Sequence, residues 1–222
     1  RIPTEVEAAS EFRYRNPIIT PTTLVVAVSQ SGETADTLAA IRDARIKGAK
    51  VFGITNVVGS PVARESDGVI YTKANKEIAV ASTKSFIGQV VSLTLLALLL
   101  AQVKYRLTTK QARMLFRELS DTAEQIQWIL DTQTDAVHEA ALLCKDAQSA
   151  LFVGRGMGAA ISYEGALKLK EVSYLHAEAY AAGEMKHGPI ALIDEGFPVV
   201  AIATKSPVYD KVVSNLQESR AR

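Results

Sequence analysis

Residues 29–34 concentrate side chains that can donate hydrogen bonds in one short turn. They follow the continuous apolar run of residues 24–28, which predicts a parallel strand covered on both faces, and they precede a helical pattern. Such a position favours anion binding, because unpaired backbone N–H groups and the positive end of the helix dipole point to it. The donors in this turn are Ser29, Gln30, Ser31 and Thr34.

The chemistry of this turn suits a small phosphate ester. The sequence has no G-x-x-x-x-G-K pattern, which argues against a nucleotide P-loop. Hydroxyls, an amide and the close backbone approach that Gly32 permits fit a phosphate monoester instead. The same residues also fit a turn without a ligand, in which Ser31 caps the following helix. The residues alone leave these two interpretations level.

A second group of residues could move protons. Lys168 and Glu171 are three positions apart in a predicted helix and therefore share one face. A carboxylate can take a proton from one carbon and return it to the next, as an aldose–ketose shift requires. His187 could transfer a proton between oxygens near neutral pH. The residues alone favour simpler interpretations: an ion-pair stripe that includes Glu164, and a histidine in a turn before Gly-Pro.

The composition argues against several functional classes. The 222 residues are 48% hydrophobic and 22% charged, as in an ordinary globular protein. The formal net charge is +1 and no Lys/Arg cluster is present, which argues against nucleic acid or an acidic membrane surface as a partner. Cys144 is the only cysteine, so no intramolecular disulfide can form, and no metal-ligand spacing is present. We expect a cytoplasmic protein without a metal or cofactor.

The apolar residues 87–103 could suggest a membrane span. The stretch is interrupted by glutamine, serine and threonine, and it is shorter than the ~20 residues that a span requires. It therefore predicts a core helix.

The elements that must position these residues alternate between strands and helices. Apolar runs predict strands at 24–28, 51–54 and 69–71, and again at 150–153 and 197–203. Helical patterns cover 34–47, 82–103, 110–130, 135–147, 159–172 and 208–222. This order predicts the α/β class, with two doubly wound, mainly parallel sheets flanked by helices.

Internal similarity indicates two copies of one unit. Residues 25–38 (VVAVSQSGETADTL) align with residues 199–212 (VVAIATKSPVYDKV) on the same elements. We predict a first domain at 1–108, linking helices at 109–147 and a second domain at 148–222. The second copy opens with a strand, a glycine turn and a helix that the first lacks, so we expect the sequence to be cut at both ends.

Several segments, in order along nearly the whole chain, resemble a known family. Residues 29–38 (SQSGETADTL) resemble the phosphate loop of SIS domains, the sugar isomerase fold. Matches to the tandem SIS module of glutamine–fructose-6-phosphate aminotransferases follow the family's order; they are AASEFRYR (8–15), EIAVASTK (77–84), EGALKLKE (164–171) and AEAYAAGEMKHGP (177–189).

The resemblance implies roles for individual residues. Ser29, Gln30, Ser31 and Thr34 are expected to hold a sugar phosphate. Val80, through its carbonyl, and Ser82 are expected to border the sugar. Glu171 is expected to move the proton between C1 and C2, with Lys168 beside the sugar hydroxyls, and His187 to open the hexose ring from the partner subunit of a homodimer.

In this family, fructose 6-phosphate is converted to glucosamine 6-phosphate with ammonia that a glutaminase domain of the same polypeptide releases. These 222 residues lack counterparts of the glutaminase domain, of the first wall of the phosphate site and of the Schiff-base lysine. We therefore expect the chain alone to be inactive. Two alternatives remain: another tandem SIS isomerase or deaminase, and a non-catalytic sugar-phosphate sensor that need not keep Glu171 and His187.

Overall fold

Two groups of parallel strands organise the chain in a computed structural model, which describes residues 2–221. Each group belongs to its own unit; the first unit ends at Thr122 and the second begins at Ala123. Both are α/β units with helices beside the sheet, so the predicted fold class is confirmed.

The sheet of the first unit places the carboxyl ends of its three strands at one edge. The strand order is β1-β2-β3, all parallel, with Val26 opposite Phe52 and Ile54 opposite Ile70. Short and long helices alternate with these strands. The elements are α1 (Ala9–Phe12), β1 (Leu24–Ser29), α2 (Ala35–Ile46), β2 (Lys50–Thr55), α3 (Pro61–Glu65) and β3 (Gly68–Tyr71).

The core of this unit forms where α2 packs against the sheet. Ile41 and Ala44 face inward, three positions apart on the helix, and contact Val51 and Val62. All four are buried. Burying one large aliphatic side chain such as Ile41 contributes about 2 kcal/mol, and this packing holds the N-terminus of α2 close to the end of β1.

Three long helices follow β3: α4 (Lys84–Val103), α5 (Thr109–Thr132) and α6 (Thr134–Cys144). The expectation of a core helix for α4 is wrong, because Ser85, Ser92 and Leu96 alone are buried among its described residues. A helix that is apolar on all sides is expected to be packed against other residues on all sides. In this structure only one side of α4 is packed against other residues. The large apolar side chains left exposed are Ile87, Val90, Leu93, Leu99 and Val103.

By length and composition alone, α4 could also cross a membrane. Little of this apolar helix is buried. A helix that another part of a soluble protein covers passes the same test. The exposed apolar face therefore marks a surface for further packing, and the kind of packing does not follow from hydropathy.

The second unit has the strand order β5-β4-β6, again all parallel. Its elements are β4 (Ser149–Gly154), α7 (Met157–Ser173), β5 (His176–Ala181), β6 (Val199–Ile202) and α8 (Tyr209–Arg220), with two 3₁₀ turns, Met185–His187 and Pro189–Leu192, between β5 and β6.

Strand β5 has no counterpart among the predicted elements. Half of its residues are alanine, which has low strand propensity. Pairing with β4 along six residues, and contacts of Ala177 and Ala179 with Phe152 and Ala166, form the strand nevertheless. Tertiary contacts thus override local preference here.

Candidate functional site

The predicted phosphate loop lies between β1 and α2 and is held by its own hydroxyls. Ser29 is buried, and its Oγ accepts a hydrogen bond from the Gly32 N–H at 3.1 Å and shares one with Thr34 Oγ1 at 3.2 Å. Ser31 Oγ accepts from the Glu33 N–H at 3.2 Å. The loop is therefore a defined turn whose backbone direction is set before any ligand arrives.

Gly32 is the residue that lets this turn sit close to its neighbours. Its φ is +67°, and a Cβ there would lie 2.1 Å from Ser60 Oγ and 2.7 Å from Thr55 Oγ1. Its carbonyl accepts from the Val62 N–H at 3.0 Å. Only glycine combines this backbone conformation with so close an approach.

The N-terminus of α2 differs from the expected turn, in which Ser31 would cap the helix. The N-cap is Thr34, not Ser31, and its side chain makes no capping hydrogen bond to the helix residues that the structure describes. The capping interpretation of Ser31 is therefore wrong. The N–H groups of the first helical turn lack that acceptor, as an anion site at a helix N-terminus requires.

Sequence reasoning missed the residues that support the loop from below. Thr55 and Ser60, both buried, lie under Gly32. The Asn56 N–H donates to the Gln30 carbonyl at 3.0 Å, and Asn56 Oδ1 accepts from the Ala74 N–H at 2.8 Å. One signal could have found them, because they follow the predicted strand at 51–54 and the carboxyl ends of parallel strands share an edge.

Val80 and Ser82 lie in the segment between β3 and α4, which leaves the sheet at the same edge as the phosphate loop. Val80 is exposed and Ser82 is half-buried. The carboxylate of Glu77 accepts hydrogen bonds from the Ser85 N–H, at 3.1 Å, and from the Ser85 hydroxyl. The hydroxyl is the main cause that holds the pKa of Glu77 below its usual value. This contact closes residues 77–85 into a loop at the start of α4.

Lys168 and Glu171 lie on α7 and contact each other. Lys168 Nζ is 2.5 Å from Glu171 Oε2 and 3.6 Å from Glu164 Oε1, and the three side chains are 23% to 30% exposed. The expected ion-pair stripe is thus present. The ammonium also orients the Glu171 carboxylate, and an oriented, half-buried carboxylate can act as a proton acceptor.

His187 ends the 3₁₀ turn Met185–His187 in the same unit, and its side chain is exposed. The imidazole makes no hydrogen bond with any residue that the structure describes, whereas the backbone N–H donates to the Glu184 carbonyl at 2.9 Å. Within residues 2–221, no three His, Cys, Asp or Glu side chains are grouped so that they could hold a metal ion.

Comparison with known proteins points to one family. The family profile described as "SIS domain" matches residues 1–99 and 143–222. A glutamine–fructose-6-phosphate aminotransferase [isomerizing] from Chlorobaculum tepidum is 53% identical over 222 residues, covering 100% of this chain and 36% of that protein. A protein of the same name from Symbiobacterium thermophilum is 54% identical over 221 residues, again 36% of its length. The chain thus spans about a third of the curated relatives that it matches.

Solved structures agree with this assignment. The C-terminal domain of glucosamine-fructose-6-phosphate aminotransferase from Francisella tularensis matches with a TM-score of 0.95 at 43% identity, covering 100% of this chain and 62% of that one. A glucosamine-6-phosphate deaminase from Thermotoga maritima matches with a TM-score of 0.73 at 26% identity, covering 96% and 62%. The resemblance found in the sequence is confirmed, and because the profile matches well over half of its residues, the chain belongs to the SIS domain family.

Proposed function

We propose that the chain is the sugar-phosphate-binding and isomerising module of a glutamine–fructose-6-phosphate aminotransferase. In the full-length enzyme it would bind fructose 6-phosphate and convert it to glucosamine 6-phosphate, with ammonia that a glutaminase domain of the same polypeptide takes from glutamine. One observation carries the proposal: Gly32 lets the donor-rich loop at the N-terminus of α2 pack closely against the buried hydroxyls of Thr55 and Ser60. The 53% identity to a relative of that name supports it.

The loop would bind the phosphate group. Side-chain donors of Gln30, Ser31 and Thr34, and N–H groups of the first turn of α2, would surround its oxygens. Ser29, buried and bonded to the Gly32 N–H, would keep the turn in place. Val80 and Ser82, after β3, would border the sugar.

The residues of the second unit would carry out the proton transfers. His187 would take the proton of the anomeric hydroxyl and deliver a proton to the ring oxygen, which opens the ring. Ammonia would replace the C2 ketone oxygen, which leaves as water, to give an imine. Glu171 would then take a proton from C1 and return it to C2, while the proton of the C1 hydroxyl passes to the imine nitrogen, which turns the ketose imine into the 2-amino aldose. Without ammonia the hydroxyl proton would pass to the C2 oxygen, and the product would be the aldose. Lys168 would hold Glu171 in place and donate to a sugar hydroxyl.

A deaminase of the tandem SIS type is the second candidate, supported by the shared fold of the Thermotoga maritima protein. Release of ammonia from glucosamine 6-phosphate without glutamine would favour it. A sensor would bind the same sugar phosphate without any exchange of its carbon-bound protons. A cytoplasmic location is part of the main proposal.

The first prediction concerns binding by the chain itself. Fructose 6-phosphate should bind at least ~10-fold more tightly than fructose, because a hydrogen bond to a charged group is worth about 1.5–3 kcal/mol. Isothermal calorimetry measures both affinities. Ser31→Ala should weaken binding of the phosphate ester, whereas Ser214→Ala, a matched change on the exposed face of α8, should not. Equal affinity for the two sugars in a folded sample would remove the basis of the phosphate-loop assignment.

We also propose a homodimer in which His187 completes the sugar site of the partner subunit. The exposed apolar face of α4, with Ile87, Val90 and Leu93, supports self-association because a soluble protein rarely leaves so large an apolar surface uncovered.

The assays of activity use a grafted enzyme, defined as the Chlorobaculum tepidum relative with residues 1–222 of this chain in place of its matched segment.

Mixing two inactive variants of the grafted enzyme tests this arrangement. His187→Ala and Glu171→Gln should each be inactive, but a heterodimer should contain one intact site. Random mixing in equal amounts should therefore restore about a quarter of the wild-type activity. Each variant mixed with itself is the control. Heterodimers that form, as mass spectrometry can show, and remain inactive would contradict the shared site.

A further inference from the structure

One face of α8 contacts both of the segments that lead to proposed catalytic residues in the second unit. The face consists of Asn215, Glu218 and Ser219, of which Asn215 and Ser219 are buried. One segment is the 3₁₀ turn that ends at His187, and the other is the loop after β4 that opens α7, the helix of Lys168 and Glu171. These three residues have no part in the proton transfers proposed above.

The contacts with the turn hold the two residues before His187. Glu218 Oε1 lies 2.9 Å from Lys186 Nζ. The Ser219 hydroxyl lies 3.1 Å from the sulfur of Met185 and 3.1 Å from the Asn215 carbonyl oxygen, and Met185 is fully buried. Moving the turn Met185–His187 as a unit would therefore break the ion pair or withdraw the buried Met185 side chain. The imidazole itself is exposed and therefore accessible to a ligand.

The Asn215 amide contacts the loop through its oxygen and Glu218 of α8 through its nitrogen. Arg155 Nη1 donates to Asn215 Oδ1 at 3.2 Å, and Asn215 Nδ2 donates to Glu218 Oε2 at 3.3 Å. The guanidinium of Arg155 also packs against Gly183, where a Cβ would lie 2.9 Å from Arg155 Nη2. A side chain at Gly183 would displace Arg155 from the chain segment that enters the turn.

Asn215 and Glu218 thus join two cations, Arg155 and Lys186, from different loops. The hydrogen bond from Lys186, followed by that from Asn215, holds the pKa of the Glu218 carboxyl below its usual value. The carboxylate form is the one that can accept both bonds, so the connection is complete at neutral pH.

We propose that Asn215 and Glu218 are positioning residues for His187: they fix the orientation of the turn so that the imidazole can reach the ring oxygen of a bound hexose phosphate. This inference rests on the proposed function, in which His187 opens the ring. It assigns to α8 a role in one chemical step, ring opening, and none in the later proton transfer at C1 and C2.

Two substrates separate that step from the others. Fructose 6-phosphate closes its ring through the 5-hydroxyl, so 5-deoxyfructose 6-phosphate cannot close a furanose ring and is always in the open-chain form. Incorporation of solvent deuterium at C1, followed by NMR, reports proton transfer for both. The grafted enzyme and its Asn215→Ala, Glu218→Gln and His187→Ala variants are compared, with Gln217→Ala, an exposed neighbour on α8, as the control.

We expect Asn215→Ala and Glu218→Gln to slow exchange into fructose 6-phosphate by ~10-fold or more, since a small displacement of a catalytic group has effects of that size. Exchange into the 5-deoxy analogue should stay within ~2-fold of wild type, as should both rates in Gln217→Ala. His187→Ala should show the same selective loss. The ratio of the two rates is measured on one sample, so a partly unfolded variant lowers both rates and leaves the ratio unchanged.

One result would overturn the inference: an unchanged ratio of the two rates in both α8 variants, with or without an equal loss of both rates, while His187→Ala changes the ratio. Failure of the proposed function gives a different pattern. In that case the wild-type grafted enzyme shows no exchange with either substrate, or His187→Ala exchanges fructose 6-phosphate at the wild-type rate.

Discussion

Glu171→Gln is expected to abolish exchange of the substrate's C1 and C2 protons with solvent in the grafted enzyme, and to leave affinity for fructose 6-phosphate nearly unchanged. Glutamine keeps the shape of the side chain and can still accept the hydrogen bond from Lys168, but it cannot take a proton. A general base contributes about 10²–10⁴-fold to the rate of such a step, so the residual exchange should fall close to the detection limit.

Deuterium incorporation followed by NMR measures the exchange, and calorimetry measures the affinity. Glu195→Gln makes the same chemical change at an exposed position of the same unit and should leave both unchanged. Exchange at the wild-type rate in Glu171→Gln would show that another group is the base. Lys168, whose Nζ lies 2.5 Å from the Glu171 carboxylate, would then be the first candidate.

The second large effect is expected at Gly32. Gly32→Ala should lower the stability of the first unit by about 3 kcal/mol, because it combines a positive φ with overpacking against neighbours that cannot move away. The added Cβ would lie 2.1 Å from the Oγ of Ser60, which is 3% exposed. The loop would then have to move away from Ser60 and Thr55, and binding of fructose 6-phosphate should be lost as a result.

Gly59 offers a matched control for this substitution. Its φ is +71°, close to that of Gly32, but a Cβ there meets nothing within 4 Å. Gly59→Ala should therefore cost about 1 kcal/mol from backbone strain alone and leave sugar-phosphate affinity unchanged. Hydrogen exchange of the amides of β1 and β2 reports the stability of the first unit, and calorimetry reports binding. Equal destabilisation in the two variants, or wild-type affinity in Gly32→Ala, would contradict the proposal that close packing of Gly32 on Ser60 and Thr55 holds the loop for binding.

Local patterns in the sequence were sufficient for the parts of the fold that depend on neighbouring residues. The apolar runs that became β1, β2 and β4 and the helix that became α2 were predicted to within two residues, because buried parallel strands and helical periodicity leave a strong local signal. The position of residues 29–34 between a strand and a helix indicated an anion site as readily as a plain turn, and the resemblance to SIS domains favoured the anion site. The spacing of Lys168 and Glu171 likewise predicted their contact.

Contacts between distant residues decided the rest. β5 forms from a segment with little strand propensity because β4 and α7 lie beside it. α4 is apolar enough for a core, but how much of it is covered depends on what packs against it, which hydropathy does not encode. The N-cap of α2 is Thr34 and not the predicted Ser31, because the Ser31 hydroxyl accepts a hydrogen bond within the loop instead.

The support of the two proposed sites shows the same division most clearly. Residue types and spacing made Ser29, Ser31, Glu171 and His187 candidates, and the resemblance to SIS domains gave them their expected roles. Ser60 beneath Gly32, and Asn215 beside Arg155, are separated from their partners by 28 and 60 positions in the chain. No periodicity links residues so far apart, and folding alone brings them together. The sequence by itself therefore determined which groups are candidates for the chemistry, and the tertiary structure decided which residues hold these candidates in place.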